Sequence, residues 1–469
     1  MNGGADSLSV AALASQVPRL NPPEVVWPAV VGGEAGTILA VLQQIELSQW
    51  WPPDVLAAQQ RRQLGFLLAH AERTVPFYRD RLRAAGFRAG QPLSEEVWRR
   101  LPVLERRAVQ DAGPALRSSH VPAAHGAAVE VTTTGSTGMP VRVLKTRLAD
   151  LFWSVCTLRD LRWQRRDVSG KLALILRDPA GRAGWPAGLT LPNWGRVPGV
   201  LYASGPAAQL DVMTPVDLQA EWLMRIQPNH LLTFPTNLLH LARHVLERGQ
   251  ALPALRGITT MGELVGADLR ALCRAAFGVP LADMYSAEEV GYMALQCPDF
   301  DHYHVQAETV RVEILDEADR PCPVGAIGRV VVTPLHNLAT PLVRYAIGDY
   351  AEVGPPCPCG RGLPVLRRIL GRTRNMVRLP SGASHWAALE SQRFAEIAPI
   401  VQYQLIQTQD GIEMKLVTRR PLERDEEDRL RDLVHFALGH PFAVRFTYHD
   451  AIPRSAGGKF EEFRCELGE

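Results

Sequence analysis

The sequence lacks the features that would place the protein in a membrane, in a secretory pathway or on a nucleic acid. No run among its 469 residues is long and apolar enough to span a bilayer. The beginning of the chain shows no charged segment followed by an apolar core, so no secretion signal is expected. The formal net charge is only +2, with basic and acidic residues interspersed, so neither nucleic acid nor an anionic membrane is indicated as the main partner.

Cysteine is scarce and its number is odd. The 7 cysteines are scattered over a long chain, which argues against a disulfide framework. This usage predicts a protein of the reducing cytoplasm. The glycine-rich phosphate loop that ends in Gly-Lys-Ser/Thr is also absent, because the one comparable turn continues as Gly138-Met139-Pro140.

What is present is an ordinary globular composition, 46% hydrophobic and 21% charged, in a chain long enough for two or more domains. Apolar spacing predicts a helix from Pro53 to Ala85 that is broken at Pro76. Strands and helices then alternate, which indicates an α/β architecture. Strands are expected at 172–176, 257–261 and 279–285, and helices at 95–100, 219–227, 237–247 and 269–277.

After Val290 the pattern becomes β-rich, and beyond Arg372 a small α+β unit is expected. Its elements are a hairpin (401–407 and 413–418), a helix (423–438) and a strand (443–448). We therefore predict an α/β fold with a large N-terminal domain of several subdomains, sheets flanked by helices plus a β subdomain, and a small α+β C-terminal domain. The expected bounds are 1–50 for a loosely structured lead-in, 51–372 and 373–469.

One loop between two strands, within residues 127–144, carries the first chemical signal. Glycines allow successive backbone N–H groups to converge on an anion, and hydroxyls add donors for phosphate oxygens. A polar hairpin turn is the alternative for such a composition. The loop residues are Thr132, Thr133, Thr134, Gly135, Ser136, Thr137 and Gly138.

The order Thr-x-Gly-Ser-Thr-Gly-x-Pro in this loop resembles the signature of the adenylate-forming superfamily, which includes acyl-CoA synthetases, luciferases and adenylation domains of peptide synthetases. The resemblance implies that the loop holds the β- and γ-phosphates of ATP. Downstream, Asp283 to Glu289 resembles the Tyr-Gly-x-Thr-Glu motif, which implies that Tyr285 stacks on adenine and Glu289 holds Mg²⁺. Ser286 and Glu288 replace the glycine and the hydroxyl residue of that motif.

Further segments follow in the order of the same family. Gly262 and Glu263 stand where the adenine pocket is bordered. The run from Leu342 to Asp349 resembles Arg-Tyr-x-x-Gly-Asp, which implies that Asp349 binds both ribose hydroxyls.

The hinge and the C-terminal loop complete the series. Gly371-Arg372 begins a segment that resembles the hinge motif, which implies that Arg372 reaches ribose or phosphate. Arg374 and Asn375 replace residues of that motif, so the swivel between half-reactions is expected to be tuned differently or lost. Lys459 stands where the family has the lysine that bridges carboxylate and phosphate.

A narrower resemblance links the chain to phenylacetate-CoA ligases and to relatives in capsule biosynthesis. It rests on Val75-Pro76-Phe77-Tyr78, Cys297, His304-Val305 and the run from Cys357 to Arg361. It covers nearly the whole chain after Trp50.

The cysteines of these segments suit a tetrahedral Zn²⁺ site, with two ligands from one turn and two from another loop. His304 is the preferred histidine, with His302 as its substitute and Cys322 as a further nearby cysteine. Free thiols are the alternative. The predicted ligands are Cys297, His304, Cys357 and Cys359.

The resemblance implies a two-step ligase with ATP, Mg²⁺ and coenzyme A, in which Lys459 and Glu289 serve adenylation. An aromatic acid is expected, and the run 178–215, with Trp185, Trp194 and Tyr202, is expected to line or cover its pocket. An amine, a hydroxyl or a carrier-protein thiol are alternative acceptors. A nucleotide-binding scaffold without catalysis is an alternative of another class. A homodimer is left open, and neither nucleic acid nor a membrane is expected as a partner.

Overall fold

The computed structural model of the protein describes residues 30–133, 140–266, 268–389 and 391–467. The first part of these residues is helical, helices and strands alternate from residue 128 to residue 287, and strands predominate from there to residue 386. The helices are Gly33–Ser48, Pro53–Thr74, Pro76–Ala84, Glu95–Arg100, Arg106–Ala112, Arg147–Trp163, Arg196–Leu201, Val216–Ile226, Pro235–Glu247, Leu269–Phe277, Ser391–Ile397 and Arg424–Leu438.

The strands are numbered in chain order. They are β1 Ala128–Thr132, β2 Arg142–Thr146, β3 Leu172–Leu176, β4 Leu189–Leu191, β5 Ala207–Asp211, β6 His230–Thr233, β7 Gly257–Met261, β8 Leu281–Ala287, β9 Gly291–Gln296, β10 Tyr303–Val305, β11 Val310–Leu315, β12 Ile327–Pro334, β13 Tyr345–Val353, β14 Val365–Arg372, β15 Met376–Arg378, β16 Ser384–Trp386, β17 Ile400–Thr408, β18 Gly411–Thr418, β19 Val444–Tyr448 and β20 Phe463–Cys465.

A twelve-stranded mixed sheet forms the centre of the protein, in the order β11-β12-β13-β14-β10-β9-β8-β7-β6-β3-β5-β4. The strands β5, β3, β6, β7 and β8 are parallel neighbours, joined by helical crossovers. From β8 to β11 the pairing is antiparallel. Strand β8 is therefore the seam between a parallel and an antiparallel half.

Two large hydrophobic cores cover this sheet. One packs the helices between residues 53 and 112 against the antiparallel half, with Met284 and Tyr285 of β8 among its members. The other packs the helices between residues 216 and 277 against the parallel half and includes Leu281. The predicted α/β fold with a β-rich subdomain is confirmed, and the strands predicted at 172–176 and 257–261 have these bounds in the structure.

The lead-in, residues 1–50, was predicted to be loosely structured, and this is wrong for its second part. Gly33–Ser48 is a helix that buries Ile38, Leu42 and Ile45. These residues recur at helical spacing and join a core with the helix Arg147–Trp163. The rest of the lead-in, residues 1–29, lies outside the described residues.

The C-terminal part forms its own layer, a four-stranded sheet in the order β19-β18-β17-β20 with the helix Arg424–Leu438 packed on it. Its core draws only on residues from 377 onward. The confirmed fold thus includes the small α+β unit, while its boundary at residue 372 stays a prediction. Within the described part of the chain, no helix combines the length and the apolar character needed to cross a bilayer.

Candidate active site

Three of the predicted nucleotide-binding residues meet, although they lie on three different strands. The hydroxyl of Tyr285, on β8, donates to Oδ2 of Asp349, on β13, at 2.7 Å. Asp349 faces Arg372 in the register of β13 and β14, and Arg372 Nε lies 3.4 Å from Asp349 Oδ1. Asp349 therefore holds one partner on each carboxylate oxygen, which fixes its orientation.

Electrostatics tie these residues to the predicted magnesium ligand. Glu289 is nearly buried, and burial raises the pKa of its carboxyl above the usual range, with Arg106 and Arg372 opposing the rise. Burial tends to lower the pKa of Arg372, but the carboxylates of Asp349 and Glu289 outweigh this effect and raise it. The result is a set of alternating charges in a mostly dry environment, where the charges of phosphates or of a cation would interact strongly with these side chains.

Arg106 is a member of this site that sequence patterns did not reveal. Its Nη1 lies 3.8 Å from Oε1 of Glu289 and donates to the Tyr345 hydroxyl at 3.2 Å. Its Nη2 donates to Oγ1 of Thr133 at 3.0 Å. One guanidinium therefore connects the predicted magnesium ligand Glu289 to the start of the predicted phosphate loop.

Only the beginning of the phosphate loop can be described. Thr132 ends β1, and the Thr133 hydroxyl accepts from the Val141 N–H at 2.9 Å, which closes the base of the turn. The remaining predicted members, Thr134, Gly135, Ser136, Thr137 and Gly138, lie outside the described residues.

Lys145, at the end of β2, is a second charged residue that was not singled out. It is 9% exposed, lies 4.6 Å from the centre of the Trp153 ring and donates to the Glu288 carbonyl at 3.1 Å. The Glu288 side chain is exposed. Residue 288 therefore contacts Lys145 through its backbone carbonyl, which does not depend on the glutamate side chain.

The C-terminal domain brings Lys459 to the same site. A Cβ on Gly262 would lie 3.3 Å from Lys459 Nζ and 3.5 Å from the Phe234 ring, and Gly262 has φ +80°, so a side chain here would be strained by the backbone conformation and would crowd Lys459. Burial lowers the pKa of Lys459, and Arg372 lowers it further, against the carboxylates of Glu263, Asp349 and Glu289. The ammonium thus reaches the charge cluster from a different domain.

The altered hinge residues bind within their own domain. Arg374 Nε donates to Glu461 at 2.9 Å, and the Asn375 amide donates to the Phe463 carbonyl at 2.8 Å. The Asn375 side chain also accepts from the Arg372 N–H at 3.2 Å. Ser286, the other altered position, is half-buried at a register shift of β8 that follows Tyr285.

The four predicted zinc ligands converge at a separate place. One ligand atom from each of Cys297, His304, Cys357 and Cys359 lies within 4.8 Å of all the others. Cys297 Sγ lies 3.9 Å from Cys357 Sγ, and Cys359 Sγ lies 3.4 Å from His304 Nε2. A tetrahedron with Zn–S bonds of about 2.3 Å has edges of about 3.8 Å, so the thiolates and imidazole fit this ion.

The two substitute ligands are elsewhere. His302 contacts His304 ring to ring at 5.4 Å but is not in the cluster, and Cys322 Sγ contacts the Ile327 carbonyl. Together the four clustered residues join the loop after β9, strand β10 and the loop between β13 and β14.

The aromatic residues expected near the acid pocket are packed inside the protein. Trp194 and Tyr202 belong to the core built on the helix Gly33–Ser48, and the Trp194 indole donates to the Gly170 carbonyl. Trp185 packs on the core of the parallel half, beside Arg225. None of these contacts marks a substrate pocket.

Comparison with known proteins gives sequence relatives over most of the chain, while no protein-family model matches it. The chain is 25% identical over 443 residues to a phenylacetate-coenzyme A ligase of Thermus thermophilus, covering 87% of this chain and 96% of the relative. It is 24% identical over 424 residues to the phenylacetate-coenzyme A ligase of Escherichia coli, covering 86% and 93%.

Among solved structures, 2-hydroxyisobutyryl-CoA ligase in the postadenylation state shares the fold, with a TM-score of 0.66 and 18% identity over 87% of this chain and 89% of that one. The two sequence relatives are matched over almost their full length. The chain is therefore similar over most of its length to phenylacetate-coenzyme A ligases, and it shares the fold of a solved acyl-CoA ligase.

Proposed function

We propose that the protein activates a carboxylic acid with ATP and then transfers the acyl group to coenzyme A. The observation that carries this proposal is the approach of Lys459, from the C-terminal domain, to Gly262 beside the cluster of Tyr285, Asp349 and Arg372. A scaffold that only binds nucleotide does not need a buried ammonium delivered from a second domain. The relatives are ligases of an arylacetic acid and coenzyme A, which supports an aromatic acid and this acceptor.

In the first half-reaction a carboxylate oxygen of the acid attacks the α-phosphate, and pyrophosphate leaves. Asp349 accepts hydrogen bonds from ribose, and Tyr285 offers its ring to adenine. Lys459 neutralises charge that develops between the carboxylate and the α-phosphate. In the second half-reaction the thiol sulfur attacks the acyl carbon, and AMP leaves.

Magnesium belongs to this proposal, with Glu289 as its protein ligand. A nearly buried carboxylate with a raised pKa and a guanidinium 3.8 Å away is a site that gains by accepting a cation between itself and phosphate oxygens. The ion would supply charge neutralisation at the phosphates. A structural zinc and a cytoplasmic location are parts of the same proposal, the latter supported by seven cysteines without a disulfide, while a homodimer is left open.

The test is an acid-dependent exchange of ATP and pyrophosphate over a panel of aryl, arylacetic and aliphatic acids. We expect exchange with at least one aromatic acid, followed by thioester formation when coenzyme A is added. If the acid supports exchange but product forms only with an amine, a hydroxyl compound or a carrier protein, that compound is the acceptor in place of coenzyme A. No exchange over the whole panel, with ATP binding intact, would favour the scaffold.

The Lys459→Ala variant tests the assigned role of the lysine. We expect it to abolish adenylation, because the variant removes the ammonium that lies beside Gly262. A preformed acyl-adenylate should still react with coenzyme A in this variant, since the first half-reaction is bypassed. Adenylation at the rate of the unaltered protein would refute the role.

A further inference from the structure

A buried ion pair joins the loop that carries Lys459 to the body of the protein. Glu263 follows β7, and Arg454 lies five residues before Lys459. Arg454 Nη1 lies 3.6 Å from Glu263 Oε1, and the two side chains are 10% and 4% exposed. An ion pair so deeply buried between two domains needs further partners to be tolerated.

Those partners are present on both sides of the pair. Glu263 Oε2 accepts from the N–H of Thr236 at 2.9 Å and from its hydroxyl at 2.7 Å. Glu263 Oε1 accepts from the backbone N–H of Phe460 at 2.6 Å. Arg454 Nη1 donates to the Thr236 hydroxyl at 3.0 Å and to the Gly458 carbonyl at 3.2 Å.

Two of these hydrogen bonds are made by the residues on either side of Lys459 in the sequence. The residue before it gives its carbonyl to Arg454, and the residue after it gives its N–H to Glu263. The loop is closed internally by Ser455, which donates its N–H to the Lys459 carbonyl at 2.8 Å and accepts from the Lys459 N–H at 3.1 Å. A rigid turn anchored at both ends fixes the point from which the Lys459 side chain extends.

We propose that Glu263 and Arg454 form a latch that holds the C-terminal domain where Lys459 faces the nucleotide, so that Glu263 is a positioning residue for the first half-reaction. The latch rests on the proposed function, because it assigns Lys459 to adenylation. Any movement that withdraws Lys459 must first separate Glu263 from Arg454 and from the Phe460 N–H. Glu263 therefore contributes to adenylation through the position of another residue, and it has no role once the adenylate is made.

The chain offers a matched control at the same domain interface. Arg419 of the C-terminal domain pairs with Glu247 at the end of the helix Pro235–Glu247, but their side chains are 61% and 48% exposed. Exposed pairs contribute little, because water and salt screen them. Glu247→Gln removes a carboxylate that bridges the same two domains without touching the buried latch.

The experiment compares Glu263→Gln, Arg454→Gln, their double variant and Glu247→Gln. In Glu263→Gln we expect the maximal rate of ATP–pyrophosphate exchange to fall about tenfold to a hundredfold, the loss typical of one charge-assisted contact, with the KM for ATP little changed. In Glu263→Gln, the rate of thioester formation from preformed adenylate should stay within about twofold of that of the unaltered protein. The rates of both reactions in Glu247→Gln should stay within the same range. The double variant should be no slower than the slower single variant, because both changes open one latch.

A second readout does not depend on activity. Small-angle X-ray scattering of the ligand-free protein should show a larger radius of gyration for Glu263→Gln and Arg454→Gln than for Glu247→Gln. Equal scattering together with an equal loss in both half-reactions would overturn the latch, as would exchange at the rate of the unaltered protein. If Glu263→Gln does not fold, Arg454→Gln decides by the same criteria. If no acid supports exchange in the unaltered protein, the proposed function fails, and scattering still decides whether the latch closes the domains.

Discussion

The cysteine–histidine cluster leads to the most direct prediction, which is that replacing one ligand removes a metal ion and lowers thermal stability. Cys359→Ser is the best perturbation, because Cys359 is the only partly exposed member and a serine changes the packing least. The hydroxyl of serine is a poor zinc ligand next to a thiolate, so the site should lose its ion.

The size of the effect follows from mass action. An ion bound at about a thousand times its dissociation constant stabilises the folded state by about 4 kcal/mol. Unfolding of the predicted N-terminal domain, with roughly 320 residues at about 2.1 cal/mol/K each, has an entropy of about 0.7 kcal/mol/K. The variant should therefore melt about 6 °C below the unaltered protein, as the ratio of these two values.

The assay is elemental analysis of the purified protein together with a thermal melt. We expect about one equivalent of zinc in the unaltered protein and in Cys322→Ser, whose thiol lies near in sequence but outside the cluster. Cys359→Ser should hold little zinc, and adding a chelator to the unaltered protein should reproduce its melting temperature. Less than about a tenth of an equivalent in the unaltered protein, or equal melting of the two serine variants, would refute the site.

Two further predictions concern buried charges. Burial raises the pKa of Asp283 to about 6 against its hydrogen bonds from Thr260 and Tyr303. A folded-state pKa above the unfolded value stabilises the protein at low pH, and this contribution is lost as pH rises through about 6. The unfolding free energy of the unaltered protein relative to Asp283→Asn should thus fall by about 3 kcal/mol between about pH 3 and 7 in denaturant titrations. No change over this range would contradict the assignment. Arg106→Ala should lower the rate of ATP–pyrophosphate exchange about a hundredfold, because it removes a fixed cation at the phosphates. The control Arg107→Ala removes a side chain that is 91% exposed and should leave the rate unchanged. Equal rates in the two variants would contradict a role of Arg106 in the first half-reaction.

The parts of the site that follow a contiguous motif were predictable from sequence. Tyr285, Asp349 and Arg372 each stand in a short run whose order matches the family, and the structure brings their side chains together. Their roles stay predictions. The four members of the cysteine–histidine cluster could be predicted for a different reason, since few residue types bind zinc and these four lie in two short segments of the chain.

Arg106 shows what sequence could not supply. It stands beside Arg107 on a short helix, and the two are chemically alike. Only the rotation of that helix against β13 decides which guanidinium reaches Glu289 and which is solvated. Lys145 and Arg454 are similar cases, because a single basic residue carries no periodic signal and its burial depends on elements far away in the chain.

The N-terminal helix was missed because its apolar residues are embedded in a segment rich in glycine, alanine and proline. Only Ile38, Leu42 and Ile45 mark its buried face, and they become informative once the helix Arg147–Trp163 is known to lie beside them. Tertiary packing, rather than local propensity, determines this element.

The seam at β8 has a consequence for how the chain assembles. The parallel half is built from crossover units that follow one another in the sequence, whereas the antiparallel half must pair β10 with β14, so Tyr303 meets Leu366. Until both halves are complete, β8 is an exposed edge strand whose apolar side chains are buried only in the finished fold. Leu281 then belongs to one core and Met284 to the other. Such an edge favours association of unfinished chains. By the proposed function a nucleotide bridges Tyr285 and Asp349 and can bind only after the halves have joined, so ATP added during refolding should favour the joined state.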